Sequence, residues 1–97
     1  MGWEVVFARR SERDLAKIVA YIASDDPAAA VRFGELLIKK AETLADAPEM
    51  GPILPGKPST RFLPVGAYLI IYRSDERRQV VRILRFWHSA RRKRPTQ

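Results

Sequence analysis

Residues 61–87 read RFLPVGAYLIIYRSDERRQVVRILRFW, and the organisation of the chain follows from them. Arg61–Val65 forms a short strand, and Pro64 confines it to an edge or a bulge because proline has no N–H for a ladder. Gly66-Ala67 turns the chain. Tyr68–Tyr72 is almost wholly apolar, as a central strand covered on at least one face would be. Ser74-Asp75-Glu76-Arg77 supplies a second turn, and Val80–Trp87 is the last strand. Three consecutive strands joined by short turns make an antiparallel meander.

Upstream, Trp3–Phe7 is rich in β-branched and aromatic residues and reads as a first strand, with Trp3, Val5 and Phe7 on one face. Ser11 followed by Asp14 fits a variant capping box, so a helix is expected from about residue 11. Leu15, Ile18, Val19 and Ile22 then form an apolar stripe at helical spacing. Asp26-Pro27 caps and opens a second helix, which is expected to bury Phe33, Leu37, Ala41 and Leu44 with Ala30 and Leu36 alongside. The connection is so short that the two helices form an antiparallel hairpin. Residues 48–60 hold four prolines and two glycines, which predicts a stiff loop without helix or central strand. The order β-α-α-β-β-β predicts an α+β two-layer sandwich, with the helical hairpin packed on an antiparallel sheet.

The chain has 97 residues and reads as one domain, 1–97, whose residues 89–97 form a basic tail. At 46% apolar content it can bury one modest core. The absence of cysteine removes disulfides and thiolate metal sites, and the single histidine, His88, cannot build a metal centre. No cofactor is expected. No apolar run reaches the roughly 20 residues of a membrane span, so the expectation is a cytoplasmic protein with no membrane contact. Charge is unevenly placed. Residues 61–97 hold ten of the 18 basic side chains and two of the 11 acidic ones, a local net of +8. That asymmetry predicts an anionic partner, either nucleic acid or an acidic protein.

Several pieces, in order, carry a resemblance: Tyr21-Ile22-Ala23 before Asp25-Asp26-Pro27, Ala47-Pro48-Glu49-Met50-Gly51 after the second helix, Pro64 to Arg73, and His88-Ser89-Ala90-Arg91 closing the last strand. Taken with the element order, they resemble the RelE/ParE superfamily of toxins from type II toxin–antitoxin systems, closer to the ParE branch, over nearly the whole chain. The resemblance implies a cognate antitoxin and a hetero-oligomer with it. RelE-like toxins cut mRNA in the ribosomal A site, whereas ParE-like toxins inhibit DNA gyrase. A third possibility within the family is an inactive toxin-fold subunit that only binds antitoxin.

RNA cleavage requires a proton donor, a proton acceptor and cations for the developing charge. Here His88, Glu49, Arg61 and Arg73 are the candidates. Two departures turn the reading away from cleavage. The nucleases commonly carry an arginine early in the central strand, where this chain has Tyr68-Leu69. They also carry a tyrosine near the C-terminus, but here Ser89 follows His88 and no tyrosine occurs after Tyr72. His88 then reads as a structural donor at a strand end.

For binding a target or antitoxin, the candidates are Arg82, Arg85, Tyr68, Tyr72 and the tail residues Arg91, Arg92, Lys93 and Arg94. Arg82 and Arg85 lie three apart, which by strict alternation sends them to opposite faces. One is expected at the sheet rim and the other against a partner or an acidic helix residue. Tyr68, Ile70 and Tyr72 share a face, and they face outward if the helices cover Leu69 and Ile71.

Overall fold

A computed structural model describes residues 2–90. It contains β1 (Glu4–Phe7), α1 (Arg9–Ala23), α2 (Pro27–Glu42), a 3-10 turn (Thr43–Ala45), β2 (Ile53–Leu54), β3 (Lys57–Val65), β4 (Tyr68–Asp75) and β5 (Val80–His88). The strands form one sheet in the order β1-β5-β4-β3-β2. β1 runs parallel to β5, and the other neighbours are antiparallel. The α+β layering and the meander are as expected. The sheet itself is mixed, with β1 added beside β5.

The first helix starts at Arg9, earlier than the capping-box reading placed it. The Ala8 N–H donates to Ile83 O at 2.8 Å as the last rung of the β1–β5 ladder. The Ala8 carbonyl then accepts from Glu12 N and from the buried Ser11 hydroxyl, the latter at 2.6 Å. The end of the strand ladder therefore caps the helix, and Asp14 is left for another role. α2 begins as predicted, with the Asp26 carboxylate accepting from Ala29 N at 3.1 Å and Pro27 in the first turn. Leu37, Ala41 and Leu44 are fully buried, but Leu36 is 40% exposed because it lies on the outer side of the helix.

The proline-rich segment is not wholly loop. It contributes β2 and the first residues of β3, although the β3–β4 ladder begins only at Arg61. The Phe62 N–H points outward to Pro52 O at 3.1 Å. By alternation the nitrogen of Pro64 faces the same outer side, where β2 no longer runs, so its missing donor breaks no rung of the β3–β4 ladder. Gly66 opens the two-residue β3–β4 turn with φ +57°, a conformation that favours glycine.

Two apolar clusters flank the sheet. The helix-facing one includes Ile18, Leu37, Leu44, Ile70, Tyr72, Ile83 and Phe86, with Trp3, Val5 and Phe7 packed against it. The opposite face holds Leu54, Leu69, Ile71, Leu84 and Trp87. Residues Leu69 to Tyr72 of β4 are therefore buried on both faces, and Tyr72 is a core residue at 0% exposure, not an outward-facing one. The register explains the error in the faces of β5. Ile71 pairs with Arg85 and Tyr72 with Ile83, so β5 carries one extra residue, Leu84. This bulge reverses alternation beyond it. Leu84 and Phe86 consequently pack on opposite sides, whereas Arg82 and Arg85 both arise on the face away from the helices.

Candidate functional site

The candidate residues fall into three places. The first is a groove beside α1, lined by Asp14, Lys17, Ile18, Tyr21, Tyr68, Phe86, His88 and Ala90, with a volume of about 450 Å3. Its wall is built where β1 ends and β5 continues alone. There the Asp14 carboxylate takes the place of a strand, its Oδ2 accepting the Phe86 N–H at 3.0 Å. The same carboxylate receives Arg85 as a fork, Nε at 2.7 Å and Nη2 at 3.1 Å. The two side chains are 10% and 15% exposed, and the Arg85 guanidinium lies 5.0 Å from the Trp87 ring centre. Arg85 is thus the arginine held by an acidic helix residue, and Arg82 is the exposed one.

With Asp14 engaged, Lys17 is, among the described residues, the lining charge without an ion pair, and the floor is apolar. Tyr21 stands 77% exposed on the rim. Tyr68 is half-buried, its ring 5.6 Å from Phe33 and 4.9 Å edge-on from His88. Among the described residues the hydrogen bond of His88 is one it accepts, from the Ala90 N–H to its Nδ1 at 3.1 Å. Asp14, Lys17 and Tyr21 were missed at the sequence level. They recur along α1 at i, i+3 and i+7, beside the apolar stripe, but assigning Asp14 to a cap concealed that face.

The second place lies at the other end of β4. The Gly51 N–H donates to Tyr72 Oη at 2.9 Å, and Arg61 Nη1 donates to Gly51 O at 2.8 Å. No side chain fits at residue 51, because a Cβ there would meet Phe62 O at 2.2 Å. Burial pushes the Tyr72 phenol above its ordinary value, opposed by the Gly51 hydrogen bond and the Arg61 charge, with Glu49 adding a smaller upward push. Arg61 therefore belongs to this latch around the proline-rich loop, with Glu49 near enough to act on the Tyr72 phenol through its charge.

The third place is the face away from the helices, where Arg73 pairs directly across from Arg82. Arg91, Arg92, Lys93 and Arg94 lie outside the described residues.

His88 and Arg61 do not meet. His88 is opposite Tyr68 and Arg61 is opposite Tyr72, on different sides of β4. Four residues along the strand and two strand spacings across put their backbones about 16 Å apart. Arg73 is on the other face of the sheet. The four residues considered for cleavage are not gathered around one position.

Residues 5–93 match the family model described as ParE toxin of type II toxin-antitoxin system, parDE. The chain is 34% identical over 92 residues to Toxin RelE1 of Caulobacter vibrioides, covering 91% of this chain and 95% of that protein. Among solved structures it resembles a chromosomal ParDE toxin–antitoxin system from P. aeruginosa, with a TM-score of 0.75, 19% identity and coverage of 89% and 95%. It also resembles the toxin–antitoxin complex RelBE2 from Mycobacterium tuberculosis, with a TM-score of 0.72, 26% identity and coverage of 91% and 99%.

Proposed function

The chain belongs to the ParE toxin family of type II toxin–antitoxin systems, and we propose that it acts without catalysis, inhibiting DNA gyrase until a cognate antitoxin neutralises it. The separation of His88 from Arg61 and Arg73 carries the non-enzymatic part of this reading. A proton carrier acts within hydrogen-bond reach of the proton it moves, and a cation stabilises an oxyanion only in contact with it. The backbones of His88 and Arg61 are about 16 Å apart, and the Arg61 guanidinium is engaged with Gly51 O at 2.8 Å, which speaks against the two acting on one phosphate. Tyr72, the last tyrosine in the sequence, is buried in the Gly51 latch and unavailable to a substrate. The antitoxin is proposed because similar folds occur in toxin–antitoxin complexes. The α1 groove suits it, with an apolar floor for an anchoring side chain and Lys17 for a neighbouring carboxylate.

A ribosome-dependent mRNA endonuclease is the second reading, supported by the 34% identity to a protein named Toxin RelE1. Expression of the chain alone separates the two. Induction of the DNA-damage response with intact transcripts supports gyrase as the target. Cutting within translated mRNA, lost in His88→Ala, overturns that reading. Harmless expression points to the inactive antitoxin-binding subunit.

A further inference from the structure

Arg73 and Arg82 form a pair that no ion pair neutralises among the described residues. They face each other directly across β4 and β5, and both are exposed. Side chains in such a pair share one space, with Cβ atoms about 5 Å apart, and like charges there are unfavourable. The arrangement is nevertheless held in position. Arg73 Nε donates to Thr60 Oγ1 at 3.3 Å, and Thr60 is completely buried. That bond fixes the base of the guanidinium and leaves its two Nη groups free to donate. Among the described residues Arg82 has no ion pair. The nearby carboxylate of Asp75 is turned to the hairpin, where Oδ1 accepts from Arg77 N and Arg78 N and Oδ2 lies 4.0 Å from Arg78 Nε. Glu4, two residues along from the neighbour of Arg82 on β1, forms no ion pair among the described residues either. On the same strand Arg85 is fully matched by Asp14, so neutralisation is within reach of this fold and is withheld from the Arg73–Arg82 pair.

We propose that Arg73 and Arg82 are a two-guanidinium site for a phosphate group of a nucleic-acid backbone. Two guanidinium forks side by side can each donate to the same phosphate oxygens. The surroundings favour a phosphodiester over an acidic protein. A protein partner needs a buried apolar anchor at the centre of its interface. The large apolar residues of this face offer little: Ile71, Leu84 and Trp87 are 0%, 9% and 9% exposed, and Phe62 is partly buried against them. A backbone phosphate needs only cations at an open surface, and Arg77 and Arg78 at the hairpin tip extend the cationic surface. The site is separate from the α1 groove and from the Gly51 latch, and it does not depend on the identity of the toxin's target.

The test is NMR of the arginine Nε–Hε signals of the full chain, titrated with inorganic phosphate and with a short single-stranded oligonucleotide. Site-specific signals are required because the basic tail from Arg91 to Arg94 adds unspecific affinity of its own. Both ligands should shift Arg73 and Arg82 saturably, and Arg73→Gln should abolish the Arg82 response. The double variant Arg73→Gln/Arg82→Gln should reduce the slope of log affinity against log salt by about 2, and Arg82→Gln alone, which removes no hydrogen bond to a buried group, should reduce it by about 1 with the unfolding midpoint unchanged. Saturable shifts with phosphate but none with the oligonucleotide would overturn the nucleic-acid assignment in favour of free phosphate. Displacement of the oligonucleotide by an acidic peptide of equal charge at equal concentration would overturn it in favour of a protein partner. An unchanged salt slope in the double variant would dismiss the site altogether.

Discussion

Strand β4 carries a tyrosine near each end of its helix-facing side, and the two residues have opposite surroundings. Tyr72 is completely buried, and its hydroxyl holds the backbone of Gly51. Tyr68 is only half-buried, packed between Phe33 and His88 on the wall of an open groove. The latch end spends its polar groups on internal contacts: Arg61 and Tyr72 both serve Gly51. The groove end instead lines an open cleft with Lys17, Tyr21 and His88. The same pairing of an aromatic ring with a nearby cation can therefore build a loop or offer a surface, and burial decides which.

The largest expected effect lies at the latch. Tyr72→Ala removes a fully buried ring and should cost about 3–5 kcal/mol in denaturant unfolding, whereas Tyr68→Ala should cost clearly less. Equal losses at both ends would break the contrast. Next comes the fork that walls the groove. Asp14→Ala leaves the Arg85 guanidinium and the Phe86 N–H without their acceptor, and a loss of about 3 kcal/mol is expected from a mostly buried pair. A loss below about 1 kcal/mol would reduce the pair to an ordinary surface contact.

Tyr72→Phe keeps the ring and removes the acceptor for the Gly51 N–H, for an expected loss of about 1–3 kcal/mol. This variant also has a pH signature. The folded phenol has a raised pKa, so its neutral form is favoured by folding. Its contribution is complete below the unfolded value near 10 and declines as pH rises above it. The wild-type protein should lose stability in that alkaline range more steeply than Tyr72→Phe, as followed by thermal unfolding. The smallest effect on stability is expected on the groove rim. Tyr21→Ala should change unfolding by no more than about 0.5 kcal/mol while weakening antitoxin binding at least tenfold, as read by titration calorimetry.

Much of this arrangement was legible in the sequence, but in uneven measure. The stripe of Leu15, Ile18, Val19 and Ile22, the Asp26-Pro27 start of α2 and the apolar run of β4 each rest on local rules of period or capping, and the structure follows them. The β2 strand and the early residues of β3 were hidden because their prolines fall where few ladder bonds are needed. The faces of β5 were misread from Arg85 onward because a bulge adds one residue, and period-two reasoning has no means of detecting it. Asp14 was misassigned for a related reason. A side chain that could cap its own helix instead completes a strand edge 72 residues away, and that partner is set by tertiary packing. The separation of His88 from Arg61 likewise depends on strand order and register.

The central claim is that a chain whose proton carrier and cations lie apart acts on gyrase by binding, not on RNA by cleavage. A DNA supercoiling assay with purified gyrase tests it most directly, using the wild-type chain and His88→Ala side by side. Inhibition of supercoiling by both proteins at similar concentrations is the predicted result. Undiminished supercoiling with the wild-type chain, which in the same preparation cuts ribosome-bound mRNA in a His88-dependent manner, would contradict it.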